Sequence, residues 1–168
     1  MIGRRGVMVA GGSTLVLGTA LALAAVAGSS ERPSSPSVDS SASVRNTFLD
    51  NVSDSLSVAG GAWTFENKTT PFSLARARTH TPVECLSDST TEQYDLALYG
   101  DPPKDPRTAA RALADHWTER GFKVTTVVDN ADGIELRADT PDGSLLDYAA
   151  STSLSSLVFQ SACVKSVG

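Results

Sequence analysis

The sequence predicts an α+β domain. An antiparallel sheet, about four of its strands a C-terminal meander with one or more added from earlier in the chain, carries two helices on one face, behind an N-terminal hydrophobic helix. Three observations predict it. Leu15 to Ala27 is a compact apolar run behind Arg4 and Arg5. Two stretches, Val44 to Val58 and Pro106 to Arg120, place apolar side chains at helical spacing, and the segment after Phe122 alternates apolar and polar residues between Asp-Gly turns.

Residues Gly6 to Ser30 carry no charge and follow two arginines, so the positive-inside rule leaves the N-terminus in the cytoplasm and everything after Ser30 outside. Residues 7–28 are long enough to span a bilayer, so the leader works as a transmembrane anchor if it is kept. The same segment ends in Ala25-Val26-Ala27, a small-residue cleavage pattern after which the protein is secreted. Both outcomes fit residues 1–28, and Arg4-Arg5 fits a twin-arginine signal as well as an ordinary basic start. Residues 29–43 are rich in Ser and Pro, too polar to bury a core, and are predicted to be a disordered linker. The folded domain is then 44–168.

Within it, Val44, Phe48, Leu49, Val52 and Leu56 make one apolar stripe, and Gly60-Gly61 stops the helix. Ala62 to Asn67 and Ser73 to Thr79 alternate and read as strands; the second would put Arg76, Arg78 and His80 on one face with Ala75 and Ala77 turned inward. Tyr94, Leu96 and Leu98 share one side of a strand that ends at Gly100. Asp105 is a helix N-cap, Pro106 suits the first helical position and Gly121 the left-handed position past the end. That helix buries Ala109, Ala110, Leu113, Ala114 and Trp117 and leaves Arg107, Arg111, Asp115 and Glu119 to water. Phe122 to Val128, Ile134 to Asp139, Ser144 to Ala150 and Leu154 to Val164 follow as strands, turned at Asp132-Gly133 and Pro141-Asp142-Gly143. The sheet face away from the helices should be mostly polar.

Charge narrows the partners. All 19 acidic residues lie from Glu31 onward, and two of the 14 basic residues are Arg4 and Arg5, so the exported part keeps 12 basic residues and a net charge of −7. Nucleic acid is therefore disfavoured as a partner. Cys85 and Cys163 both follow the leader, where thiols oxidise, and are predicted to form one disulfide. The rival readings fit less well: redox pairs stand close in sequence, and a metal site would need ligands from only two histidines, His80 and His116. No cofactor or metal is expected.

Catalytic motifs are missing. Neither histidine has an H-E-x-x-H context, no G-x-S-x-G elbow occurs, and no serine stands three residues before a lysine. "VVDNADGIEL" fails as a calcium loop because Val128 stands where the first carboxylate belongs and Asp139 where a Glu is needed. The leading expectation is thus a non-catalytic binding or accessory module of the cell envelope, meeting a protein, lipid or wall polymer. The Arg76, Arg78 and His80 stripe is the candidate site for an anionic group. A hydrolase working with Asp and Glu carboxylates, where Glu135 and Asp147 otherwise read as a solvated sheet face, and a purely structural stalked domain are the alternatives.

With "HTPVEC", "AARALADHWTERGFKV", "DGIELRADTPDGSLL" and "SACV", the chain resembles small actinobacterial exported proteins and lipoproteins of unknown function over roughly Trp63 to Val164. The resemblance implies that the two cysteines are bonded to each other and brings no catalytic residue. The lipidation cysteine of the lipoprotein members is absent after Ala27, which leaves the peptide leader as the only anchor.

Overall fold

The computed structural model describes residues 41–165; the leader and the linker up to Ser40 lie outside the described residues. Helix α1 (Ser41–Ala59) begins three residues before the predicted start. Its first residue is held in place, for the Ser41 hydroxyl lies 3.3 Å from both Glu92 Oε1 and the Tyr94 hydroxyl. Gly60 and Gly61, both at positive φ (63° and 74°), end the helix as expected. Strand β1 (Trp63–Phe65) follows.

The next element corrects the sequence reading. Ser73 to Thr79 is not a strand: helix α2 (Leu74–Ala77) occupies it. Ser73 caps the turn, its Oγ accepting from the Arg76 N–H at 3.3 Å and its carbonyl from the Ala77 N–H at 3.0 Å. Leu, Ala and Arg all favour helix, and with no β-branched residue over Leu74–Arg78 nothing opposes the cap. Ala77 turns inward and is buried, while Ala75 is exposed.

Two strands escaped the sequence reading, β2 (Val83–Cys85) and β3 (Asp88–Gln93). They are short or wholly polar and carry no alternation of apolar side chains. After Tyr94 comes β4 (Asp95–Gly100). Helix α3 (Pro106–Glu119) is capped as predicted, Asp105 Oδ1 accepting from the Arg107 and Thr108 N–H groups at 3.0 Å each. Its end is a Schellman turn: Phe122 N–H to Trp117 O at 3.0 Å, Gly121 N–H to Thr118 O at 2.9 Å, and Gly121 at φ 81°.

The meander is β5 (Lys123–Asn130), β6 (Gly133–Asp139), β7 (Leu145–Ser151) and β8 (Ser155–Gln160), each antiparallel to the next. Gly133 is needed there for a reason other than turn geometry. It begins β6, and a Cβ on it would stand 2.6 Å from the Ala150 carbonyl oxygen. The predicted final strand breaks in two. Ser161 leaves the sheet to exchange hydrogen bonds with the Tyr94 backbone, and the chain resumes as β9 (Val164–Lys165) in another sheet.

The larger sheet runs β1-β4-β8-β7-β6-β5 and the smaller β2-β3-β9. Both long helices cover one face of the larger sheet. Leu98, Leu136, Ala138, Leu146, Leu157 and Phe159 meet Phe48 and Val52 of α1 and Leu113 and Trp117 of α3 in one buried core. The opposite face is mostly polar, as expected. It carries Glu135, Arg137 and Asp147, but Ala97, Leu145, Ala149 and Val158 stand among them half-buried. Cys85 of β2 and Cys163, one residue before β9, are bonded, closing a 78-residue separation with Cα atoms 6.3 Å apart.

Candidate functional site

A pocket of ≈ 490 Å³ lies where β1 stops and α2 begins. Phe65, Glu66, Asn67 and Thr70 form one wall, Arg76 and His80 a second, and Asp95, Leu96 and Ala97 of β4 a third. The first wall is stiffened by Asn67. Its Oδ1 accepts from the Thr69 and Thr70 N–H groups at 3.1 and 2.9 Å, and its Nδ2 donates to Thr70 Oγ1 at 2.8 Å. Lys68, left-handed at φ 57°, swings out of this wall and lays its ammonium 4.5 Å from the centre of the Tyr99 ring. The His80 ring rests against Phe65, with centroids 5.4 Å apart.

Of the predicted stripe, the structure brings together Arg76 and His80 and leaves Arg78 out. The cause is α2: one helical turn separates residues two apart onto different sides, whereas a strand would have aligned them. Arg78 instead serves through its backbone, its carbonyl accepting from Arg45 Nη2 and its N–H donating to Leu74 O. Several other arginines are paired with acids, Arg107 to Asp129, Arg120 to Asp54 and Arg137 to Asp147, at 2.7 to 2.8 Å. Among the described residues, Arg76 makes no ion pair and its guanidinium no hydrogen bond, so it faces the pocket with its donors free. Glu66 and Asp95, which sequence reasoning missed, give the same pocket two acidic groups. Only the tertiary fold places them there, since no spacing links residues 66, 76 and 95.

A second polar cluster joins α1 to α3. His116 Nε2 and Arg120 Nη1 both donate to Asp54 Oδ2 at 2.7 Å, and the Arg120 guanidinium stacks on Phe122 with its carbon 4.8 Å from the ring centre. The predicted place of His116 at the edge of the core is correct; its partner was not foreseen. The available signal was the i, i+4 spacing of His116 and Arg120, which puts both on one helix face. Burial pushes the Asp54 carboxyl up, but the hydrogen bond from His116 and the charge of Arg120 outweigh it and hold the group below its ordinary 3.8. With every donor aimed at one oxygen, the cluster works as a staple between helices.

A depressed carboxyl stabilises the fold above its unfolded value of 3.8, and that contribution is lost as pH falls through the lower folded value. We therefore expect Asp54→Asn to be less stable than the wild type near neutrality and for the difference to shrink in acid. Urea unfolding of both proteins at about pH 6 and about pH 2 checks it, and an equal difference at both would assign the effect to shape instead of charge.

Cys85 and Cys163 are joined to each other, tying β2 to the segment that leads into β9. No family model matches the chain, and no curated protein matches it. Among solved structures, it is similar to the crystal structure of a DUF4853 family protein from Actinomyces odontolyticus ATCC 17982, with a TM-score of 0.50 and 14% identity, over 79% of this chain and 73% of that one. The likeness is one of fold, to an actinobacterial protein of a family whose function is unknown.

Proposed function

We propose that the chain is an exported, non-catalytic binding module of a cell envelope, anchored by residues 7–28 or released after cleavage near Ala27. Its partner is an envelope protein, lipid or wall polymer, and the pocket beside Arg76 and His80 receives an anionic group of it. The observation that carries this reading is the Arg76 guanidinium, which no described residue pairs, in the wall of a pocket of ≈ 490 Å³. The bonded cysteines support the extracytoplasmic setting, because such bonds persist where thiols oxidise. Glu66 and Asp95 in the same pocket, on a domain of strong net negative charge, favour one discrete anionic group over a polyanionic surface.

Retention on isolated envelope tests it. Arg76→Gln should weaken binding by about tenfold, the value of one charge-assisted hydrogen bond, while Arg78→Gln leaves it unchanged. Equal retention of wild type and Arg76→Gln would overturn the assignment. Both arginines are exposed, so neither substitution touches the core.

A further inference from the structure

The pocket is also a break in a sheet edge. β3 and β4 form one run from Asp88 to Gly100, interrupted only at Tyr94. On one side this run is paired by β9 and then, along all of β4, by β8. On the other side β2 pairs as far as Gln93, and β1 pairs only with Leu98, Tyr99 and Gly100. Among the described residues, Tyr94 to Ala97 therefore has no neighbouring strand on that side, and the pocket wall of Asp95, Leu96 and Ala97 is this bare stretch.

Strand alternation decides which backbone groups face the gap. Tyr94 is engaged on the β8 side, its N–H donating to Ser161 Oγ at 2.9 Å and its carbonyl accepting from the Ser161 N–H at 2.8 Å. The groups of Asp95 and Ala97 consequently point the other way, into the pocket. The Asp95 N–H and carbonyl and the Ala97 N–H make no hydrogen bond to any described residue. Free strand edges of this kind are templates for an added strand.

The gap is closed at both ends. β1 stands in line at Phe65 and β2 at Val83, so a polypeptide running through would collide with one or the other. Four residues of strand span about 13 Å, and only a chain end of three or four residues fits. Arg76 supplies the charge that a terminal carboxylate needs. Asp95 and Glu66 supply partners for a basic side chain next to that terminus.

We propose that the bare edge of β4 at Asp95 to Ala97 receives the C-terminal end of a partner polypeptide as a short added strand, with its carboxylate on Arg76. The proposal rests on the binding function assigned to this pocket and names the class of its ligand.

The test uses the full chain held in detergent micelles and labelled with ¹⁵N. The probes are the peptide acetyl-Ala-Lys-Ala-Ala with a free C-terminal carboxylate, the same peptide as its C-terminal amide, and inorganic phosphate. The free acid should shift the amide resonances of Asp95 and Ala97 in a saturable way. The amide should bind at least about tenfold more weakly, and Arg76→Gln should abolish that difference. Equal binding of acid and amide, or shifts that miss Asp95 and Ala97, would overturn the strand-end proposal. Should phosphate still bind and lose affinity in Arg76→Gln, the anion pocket stands and only its peptide ligand falls. Should neither phosphate nor peptide move these resonances, both readings fall.

Discussion

Replacing Cys85 and Cys163 together by serine is expected to lower the unfolding free energy by about 4 to 5 kcal/mol, the chain-entropy value for a closed loop of this length. That is a large part of the ~5–15 kcal/mol that holds a small domain together. The loss should fall first on the smaller sheet. β2 and β9 have three and two residues and meet only through β3, so the covalent link is their strongest tie. The effect reaches further because Glu92 of β3 also accepts from Ser41 at the start of α1. Guanidinium unfolding of oxidised wild type and the Cys85→Ser/Cys163→Ser variant measures the difference. Reduced wild type should behave like the variant, and coincident oxidised and variant curves would show that the bond contributes nothing.

Trp117→Ala should cost roughly 3–5 kcal/mol. Trp117 is fully buried on α3 at the centre of the core, and Leu113, Val52 and Ser55 around it are as deeply buried. Its indole N–H donates to the Ser55 hydroxyl of α1 at 3.0 Å, so one side chain both fills the layer between helices and sheet and ties the helices together. Trp117→Phe separates the two roles. It keeps most of the apolar contact but leaves the buried Ser55 hydroxyl without its donor, which costs about 1–3 kcal/mol. In the Ser55→Ala/Trp117→Phe pair the unpaired group is gone, and part of that loss should return. Urea midpoints of the single and double variants give the coupling energy. Additive effects would mean the hydrogen bond contributes little.

Helix α3 came out as read, and so did the meander up to β8, where the predicted last strand breaks at Ser161. For α3, cap, apolar stripe and terminal glycine lie within seventeen residues, and each acts on the residues next to it. For the meander, alternation and turns repeat at short range, so the strands find each other in sequence order. Ser73 to Thr79 misled because Arg76 and Arg78 alternate with alanine in a segment too short for a period of two to be told from one helical turn. The cap at Ser73 decides the matter, and its weight is visible only when the neighbouring chain leaves room for the turn. β2 and β3 carry no apolar pattern because the disulfide and their neighbours hold them, not a buried face.

From the residues alone come the α+β class, the ends and buried face of α3, the order of the meander and the pairing of the two cysteines. All of these follow from conformational preferences and chemistry that act over a few residues or between the only two groups of their kind. The fold alone decides that Arg76 and His80 share a pocket with Glu66 and Asp95, that Asp54 meets His116, and that β4 is left half bare. Those arrangements join residues tens of positions apart. Which of them meet is set by how the whole chain buries its apolar surface, a sum that no short stretch contains.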